Sequence, residues 1–186
     1  VIFGEALHAF GVLSAVLRLG GVNVRAFWRH IADAPLLAFS TASSNAALPV
    51  SLEVAQKRLG VSNEVASFVL PVGATLNKNG SALYKGVTVV FLAQVYGVPL
   101  GPSEHLTIVL ASTVAAVSGV GVPGSSLVTT LIVLTAVGMG PQAAAGMALV
   151  VGLDRFLDMF RSGVNVLGQM TCAAIIAKGE GESLAA

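Results

Sequence analysis

Five polar side chains recur at helical spacing near the end of the chain: Asp154, Asp158, Arg161, Asn165 and Gln169. Steps of 4, 3, 4 and 4 residues place them on one stripe of a helix, although the surrounding segment is apolar. Ionised groups within membrane spans are unfavourable and usually mark a ligand pathway. The stripe therefore predicts a site for a charged ligand. The structural alternative is that Asp158 and Arg161 simply neutralise each other within the helix.

A polar, helix-breaking segment also interrupts an apolar stretch. Residues 71–81 read Pro-Val-Gly-Ala-Thr-Leu-Asn-Lys-Asn-Gly-Ser, between the apolar runs 65–70 and 86–93. Backbone at membrane depth must be hydrogen-bonded internally, so an unwound segment survives there only beside protein or a water-filled cavity. Secondary transporters bind ions and substrates at broken helices of this kind. The break therefore predicts a binding site.

Two short polar or glycine-rich segments lie between pairs of short apolar arms. The first is Ser43-Ser44-Asn45, where helix N-termini would offer N–H donors to a carboxylate. The second spans 117–126 and contains Gly-Val-Pro-Gly, where free carbonyl oxygens could accept a cation. Taken alone, each segment could equally be an ordinary loop.

The composition places the whole chain in a membrane. Of 186 residues, 55% are hydrophobic and 10% charged, against about 25% charged in soluble domains. A net charge of +1 argues against a nucleic-acid partner. The single cysteine, Cys172, excludes an internal disulfide. No metal spacing, phosphate loop or nucleophile motif is present, so the sequence predicts a protein that is not an enzyme and needs no cofactor.

The predicted fold is an all-α membrane protein built as an inverted-repeat transporter. Two pairs of arms are shorter than the ~20 residues that cross a bilayer, which indicates re-entrant helical hairpins. The first residues read as the middle of a helix, so we expect the C-terminal part of a longer protein. The predicted elements are the end of a transmembrane helix (1–21), a first re-entrant hairpin (24–60), a broken transmembrane helix (62–97), a second re-entrant hairpin (106–137), a final transmembrane helix (142–177) and a frayed polar tail (179–186).

Four motifs, in order, resemble those of the glutamate/aspartate–cation symporter family, the dicarboxylate/amino acid:cation symporters. Residues 43–49 resemble its serine-rich first-hairpin motif, and 77–81 resemble its Asn-Met-Asp-Gly-Thr break. Residues 121–124 resemble its second-hairpin tip, and 157–168 its final-helix signature. The resemblance covers essentially the whole chain. It implies a homotrimer of elevator transporters, in which residues 1–178 supply most of the moving transport domain and an N-terminal half supplies the scaffold.

The resemblance also implies residue roles. Arg161 would grip the side-chain carboxylate of an acidic amino acid and Asp158 its amino group, while Asn165 and the first-hairpin tip would contact the main-chain carboxylate. The implied substrate-binding residues are Ser43, Ser44, Asn45, Val122, Pro123, Gly124, Asp158, Arg161, Ser162 and Asn165. The implied coupling-ion region comprises Gly73, Thr75, Asn77, Lys78, Asn79, Val117, Ser118, Val120, Asn165 and Gln169.

The chain departs from the family pattern where sodium would bind. Asn79 and Gln169 stand where the family has sodium-binding aspartates, and Lys78 replaces the Met of the break. One unit charge at about 4 Å is worth roughly 4 kcal/mol at an effective dielectric of 20, so both of these sodium sites should be severely weakened. The resemblance also implies a third sodium site, built mainly from backbone carbonyls near Thr75 and the second hairpin, which could survive, so sodium binding stays possible. Lys78 would then act as a tethered cation, or coupling would be linked to protons. Alternatively, Lys78 snorkels to a water-filled crevice.

The predicted function is secondary active transport of glutamate or aspartate across an inner or plasma membrane, with coupling that is sodium-independent or proton-linked. Three alternatives stay open: a transport-inactive homologue that binds a ligand or partner, a C4-dicarboxylate carrier, and an unrelated channel with re-entrant loops. Further candidate proton carriers are Glu5, His8, Glu104 and His105, for which a solvated position is the favoured interpretation.

Overall fold

The computed structural model describes residues 1–118 and 125–185, in which every regular element is helical. The all-α prediction is therefore confirmed for the described residues. These helices are α1 (Ile2–Leu19), α2 (Val24–Ile31), α3 (Asp33–Thr41), α4 (Leu48–Lys57), α5 (Asn63–Leu76), α6 (Asn79–Val95), α7 (Pro102–Ser118), α8 (Ser125–Ala136) and α9 (Gly140–Gly179).

Helix α1 is the one helix within the described residues that is long and apolar enough to cross a membrane. Its middle, Leu7–Val12, is π-helical, a local form that is rare and frequent at functional sites. Helices α5 and α6 contain 14 and 17 residues, so each falls short of the ~20 residues that a straight span requires.

The leading arm of the first predicted hairpin consists of two helices, α2 and α3, rather than one. Pro35 lies in the first turn of α3. Its ring has no N–H and would clash with the carbonyl of Ile31, four residues earlier, so α2 ends at Ile31. At the far end of α3, Ala42 adopts the left-handed conformation (φ 49°) that ends many helices. The chain then turns through 42–47 before α4 begins.

The polar segment predicted to break a helix separates α5 from α6. Helix α5 ends at Leu76, and Asn77 is extended (φ −86°, ψ 90°). Lys78 is also outside helical geometry (φ −118°, ψ 42°), and α6 begins at Asn79. Two residues therefore leave helical geometry in the middle of an otherwise apolar stretch.

The longest helix, α9, joins two hydrophobic cores. Its 40 residues correspond to about 60 Å at 1.5 Å per residue. The first part of α9 packs with α6 and α8, and α7 joins the same core around Tyr84, Leu92 and Leu134. The second part packs with α1, α3, α4 and α5, and α2 joins that core around Phe27, Leu70 and Met170. Its charged residues Asp154, Asp158 and Arg161 therefore lie where the two cores meet.

Large apolar side chains are exposed on the outer faces of α1, α7 and the first part of α9. Such a surface is unusual for a water-soluble monomer and suits lipid or a further apolar protein segment. Its most exposed members include Phe3, Phe10, Leu19, Leu106, Val109, Val114, Leu149 and Leu153.

The tail, for which the sequence predicts fraying, is tied to the loop between α4 and α5. The Glu182 carboxylate accepts a hydrogen bond from the Ser62 amide at 2.8 Å. The Ala185 amide donates to the Leu59 carbonyl at 2.9 Å. The predicted fraying is therefore wrong for these residues, because tertiary partners satisfy polar groups that the local sequence leaves free.

Candidate functional site

Arg161 is the centre of the candidate site. Its side chain is fully buried (0% exposed), and its Nη1 donates to Asp154 Oδ1 at 3.2 Å. Its guanidinium carbon lies 4.0 Å from the centroid of the Tyr84 ring. The Tyr84 hydroxyl donates to the same Asp154 oxygen at 3.0 Å. Arg161 is therefore held from two sides, by a carboxylate on its own helix and by an aromatic ring from α6.

One edge of this guanidinium has no hydrogen-bond partner among the described residues. The unpartnered atoms are Nε and Nη2. Asp158 Oδ1 lies 2.8 Å from Nη2 as an ion pair, but the two groups lack hydrogen-bond alignment. Two adjacent N–H groups on one planar edge match the two oxygens of a carboxylate. The Asp158–Arg161 pair predicted as a structural alternative is thus present at Nη2, while Nε has no partner among the described residues.

Lys78, at the helix break, reaches the turn between α3 and α4. Its Nζ donates to Ser44 Oγ at 3.0 Å, and both residues are buried, Lys78 being 8% exposed. The contact joins two segments that the sequence predicts to bind substrate and coupling ion. In place of the snorkelling considered as an alternative, the Lys78 ammonium is held by a serine of the same buried site.

The helix break also faces the end of α7 across a small cavity of about 170 Å³. Asn77, Lys78 and Asn79 line it from the break, and Val117 lines it from α7. Four of the predicted ion-region residues therefore share one cavity.

Amide side chains connect the break to α9. Asn165 accepts a hydrogen bond from the Ser81 amide at 3.3 Å and donates to Ser81 Oγ at 3.0 Å. Asn79 accepts from the Gly80 amide at 3.0 Å, and its Nδ2 lies 2.9 Å from His8 Nε2. The amide oxygens of both asparagines are thus used by protein donors.

Gln169 is fully buried, and neither of its amide atoms has a hydrogen-bond partner among the described residues. Its Cγ packs 3.3 Å from where a Cβ on Gly73 would lie. Beside it, a Cβ on Gly168 would lie 2.6 Å from Nδ2 of both Asn77 and Asn79. Glycine therefore allows these two amides to approach α9.

This donor set fits sodium poorly. The ion region presents amides in place of carboxylates, two of its amide oxygens are occupied, and an ammonium lies beside them. Among the described residues, no group of three or more His, Cys, Asp or Glu side chains could hold a metal ion.

The other residues predicted to bind substrate or ion have fewer contacts with Arg161 and the helix break. Ser43 Oγ accepts a hydrogen bond from the Ala46 amide within its own turn, and Asn45 is exposed. Thr75 and Ser118 hydrogen-bond to carbonyls of their own helices, and Ser162 is buried beside Arg161. Four further predicted residues lie outside the described residues, as does any approach of the two hairpin tips: Val120, Val122, Pro123 and Gly124.

Four ionisable side chains near the site were missed or misplaced by sequence reasoning. Tyr84 and Lys85 are fully buried on α6, and Lys85 Nζ donates to Ser126 Oγ at 3.2 Å. Glu5 is buried, so the solvated position favoured for it is wrong, whereas His8 is half-buried and contacts Asn79. The available signal was a charged residue inside an apolar segment, which in a membrane protein indicates function by default.

Comparison with known proteins identifies the family. Residues 1–179 match the sodium:dicarboxylate symporter family. The chain is 39% identical over 177 residues to an excitatory amino acid transporter of Caenorhabditis elegans, covering 95% of this chain and 35% of that protein. It is 38% identical over 173 residues to a proton/sodium-glutamate symport protein of Bacillus caldotenax, covering 93% and 40%. It is 40% identical over 177 residues to excitatory amino acid transporter 4 of Rattus norvegicus, covering 95% and 31%.

The chain thus spans between 31% and 40% of the length of these three relatives. The match nevertheless extends over nearly all of its own residues, including the helix break and the charged stripe of α9. The chain belongs to the sodium:dicarboxylate symporter family, whose members are membrane transporters and not enzymes.

Proposed function

We propose that this chain is the C-terminal part of the transport domain of a secondary transporter for glutamate or aspartate in an inner or plasma membrane. The observation that carries the proposal is the buried guanidinium of Arg161, whose Nε and Nη2 lack hydrogen-bond partners while Asp158 lies beside them. Arg161 offers two parallel donors to a carboxylate, and Asp158 offers an acceptor to an ammonium. An acidic amino acid carries both groups, whereas a plain dicarboxylate has no ammonium for Asp158 to bind.

The other end of the substrate is assigned to the contact between Lys78 and Ser44. The main-chain carboxylate of an amino acid is then bound by Ser44 and the free N–H groups of the turn before α4, with the Lys78 ammonium within reach. Lys78 replaces a bound cation in this arrangement. Transport is therefore largely independent of sodium, in agreement with the poor fit of the amide-lined region to that ion.

The helix order supports the expected architecture. Helices α3–α4 and α7–α8 are the two re-entrant hairpins, α5–α6 is the broken transmembrane helix, and α9 is the final one. The exposed apolar faces of α1 and α7 pack against lipid and against the scaffold of a homotrimer. The moving unit carries Arg161 and the break together, since α9 and α6 pack on each other.

The test is uptake of radiolabelled L-glutamate and L-aspartate by the full-length protein that contains this chain. We predict that Arg161→Cys abolishes uptake of both, because breaking a buried ion pair costs about 3–5 kcal/mol, or roughly a hundredfold to several thousandfold in affinity. Arg155→Cys is the matched control, since Arg155 is exposed on the same helix. Unchanged acidic amino acid uptake in Arg161→Cys would rule out the assignment, and succinate uptake in the wild type without glutamate uptake would favour a dicarboxylate carrier.

A further inference from the structure

Glu5 is a buried carboxylate in the apolar helix α1. Its residue is 1% exposed, and neither carboxylate oxygen has a hydrogen-bond partner among the described residues. A buried polar group without a partner is destabilising, and a buried unpaired charge much more so. In a membrane helix, such a residue indicates a functional site. The carboxylate of Glu5 therefore requires a binding partner.

The position of Glu5 is next to the substrate site. Its Oε2 lies 3.0 Å from where a Cβ on Gly80 would be, and the main-chain carbonyl oxygen of Arg161 lies 2.7 Å from the same point. The carboxylate and the carbonyl therefore flank one face of the glycine at the start of α6. An ionised carboxylate can only accept hydrogen bonds, as a carbonyl does, whereas a protonated carboxyl also donates one. When Glu5 is ionised, two hydrogen-bond acceptors, its carboxylate and the Arg161 carbonyl, lie side by side. Protonation of Glu5 gives the pair one donor and one acceptor.

Among the described residues, few charged groups act on Glu5. From α9 it faces Arg161. His8, one turn later on α1, is directed at Asn79 of α6, and α6 presents Gly80 to the carboxylate. On its other side, Glu5 lines an apolar cavity of about 420 Å³ between α1, α2, α3 and α9, in which it is the one ionisable lining residue. Burial favours the neutral carboxyl of Glu5, and Arg161 is the main cation that opposes this effect.

The backbone of α1 is irregular at this position. The π-helical turn Leu7–Val12 begins two residues after Glu5 and contains His8. Turns of this kind are rare in globular proteins and frequent at functional sites. Geometry and backbone therefore both distinguish this part of α1 from a helix that serves only to face lipid.

We propose that the Glu5 carboxyl binds the proton that is cotransported with the substrate. The proposal rests on the proposed function, because the link between the two sites is Arg161. When a substrate carboxylate binds Arg161, the positive charge that stabilises ionised Glu5 is neutralised. Glu5 then takes one proton from the medium, and the neutral carboxyl donates its O–H within the packed site. By thermodynamic linkage, proton binding at Glu5 favours substrate binding to the same extent.

A proton suits this position better than a metal ion. Glu5 supplies one carboxylate, and its nearest backbone oxygen is a single carbonyl. A metal ion requires several oxygen ligands in a shell, whereas a proton requires one. The deficit of carboxylates at the helix break is thereby made up on the neighbouring helix, by a group that titrates.

The experiment uses the purified full-length protein in proteoliposomes in sodium-free buffer. Three quantities are measured: glutamate exchange, glutamate accumulation under an imposed pH gradient, and glutamate-dependent proton flux with an entrapped pH dye. With one proton per substrate, each pH unit of gradient raises accumulation about tenfold. We expect this response in the wild type and in the control Glu64→Gln, whose carboxylate is exposed on α5. In Glu5→Gln, we expect glutamate accumulation not to respond to the pH gradient and the glutamate-dependent proton flux to be lost. Glutamate exchange stays measurable because an amide resembles the neutral carboxyl.

The outcomes separate the two proposals. A wild type that exchanges no glutamate overturns the proposed function. A wild type that exchanges glutamate without moving protons, or a Glu5→Gln variant with undiminished proton flux, overturns the role of Glu5 alone. If Glu5→Gln exchanges no glutamate, Glu5→Asp supplies the test, since it keeps a carboxyl in a different position. The proton flux of Glu5→Asp must persist, and the pH at which this flux is half-maximal must differ from that of the wild type. An unchanged pH midpoint overturns the proposal.

Discussion

Gly80 lies where α6, α9 and α1 approach most closely, and replacing it by alanine is a sharp test of this arrangement. A Cβ at Gly80 would lie 2.7 Å from the Arg161 carbonyl oxygen, 3.2 Å from Arg161 Cα and 3.0 Å from Glu5 Oε2. Two of these neighbours are backbone atoms of α9, which cannot rotate away. Ordinary contact begins at 3.4 Å, so the start of α6 must move from α9 by about 0.7 Å.

The expected magnitude follows from packing. Adding a methyl group to a packed site costs about 1–3 kcal/mol, partly offset by up to ~1 kcal/mol from the higher helix propensity of alanine. Gly86→Ala is the matched control on the same helix, because its Cβ would find Ile108 Cγ2 at 3.7 Å and Ser112 Oγ at 3.8 Å. The control should therefore be neutral or slightly stabilising. If the strain falls on the substrate-binding state, a net ~1.4 kcal/mol raises the apparent KM for glutamate about tenfold.

The assay is initial-rate glutamate uptake by the full-length protein in proteoliposomes, with thermal unfolding of the detergent-solubilised protein measured in parallel. We expect Gly80→Ala to raise the KM about tenfold or to abolish uptake, and Gly86→Ala to transport as the wild type does. Equal transport and equal stability of the two variants would show that α6 and α9 do not approach in this way.

Two further predictions concern the groups around Arg161 and the helix break. Tyr84→Phe removes the hydroxyl that donates to Asp154 and should raise the KM for glutamate about fivefold, from a loss of ~1 kcal/mol of binding free energy. Tyr84→Leu also removes the ring beneath the guanidinium and should lose about 2 kcal/mol more. Equal effects of the two variants would contradict the stacking of Arg161 on Tyr84. The triple substitution Lys78→Met, Asn79→Asp and Gln169→Asp restores two carboxylates and removes the ammonium, and uptake by this variant should rise at least severalfold with added sodium, whereas the exposed control Lys57→Met should not respond. Sodium-insensitive uptake by the triple variant would mean that residues outside this chain decide the coupling ion.

Much of the helical organisation could be predicted because its causes are local. The apolar composition and scarcity of charge indicate a membrane protein, and Asn77 and Lys78 end α5 as the polar segment predicts. The stripe from Asp154 to Gln169 follows from helical periodicity alone. By contrast, the interruption between α2 and α3 at Ala32 was missed, although Pro35 supplies its cause.

The sequence by itself determined which residues have the chemistry for a site, whereas the tertiary structure decided which of them face one another. Ser44 and Lys78 are 34 residues apart, and Tyr84 and Asp154 are 70 apart. Helical periodicity assigns a side chain to a face of its own helix but does not say which helix covers that face. Glu5 illustrates the limit, because its residue type suggests solvent while the packing of α6 and α9 buries it beside Arg161. Burial and pairing are properties of long-range contacts, and only the assembled helices define them.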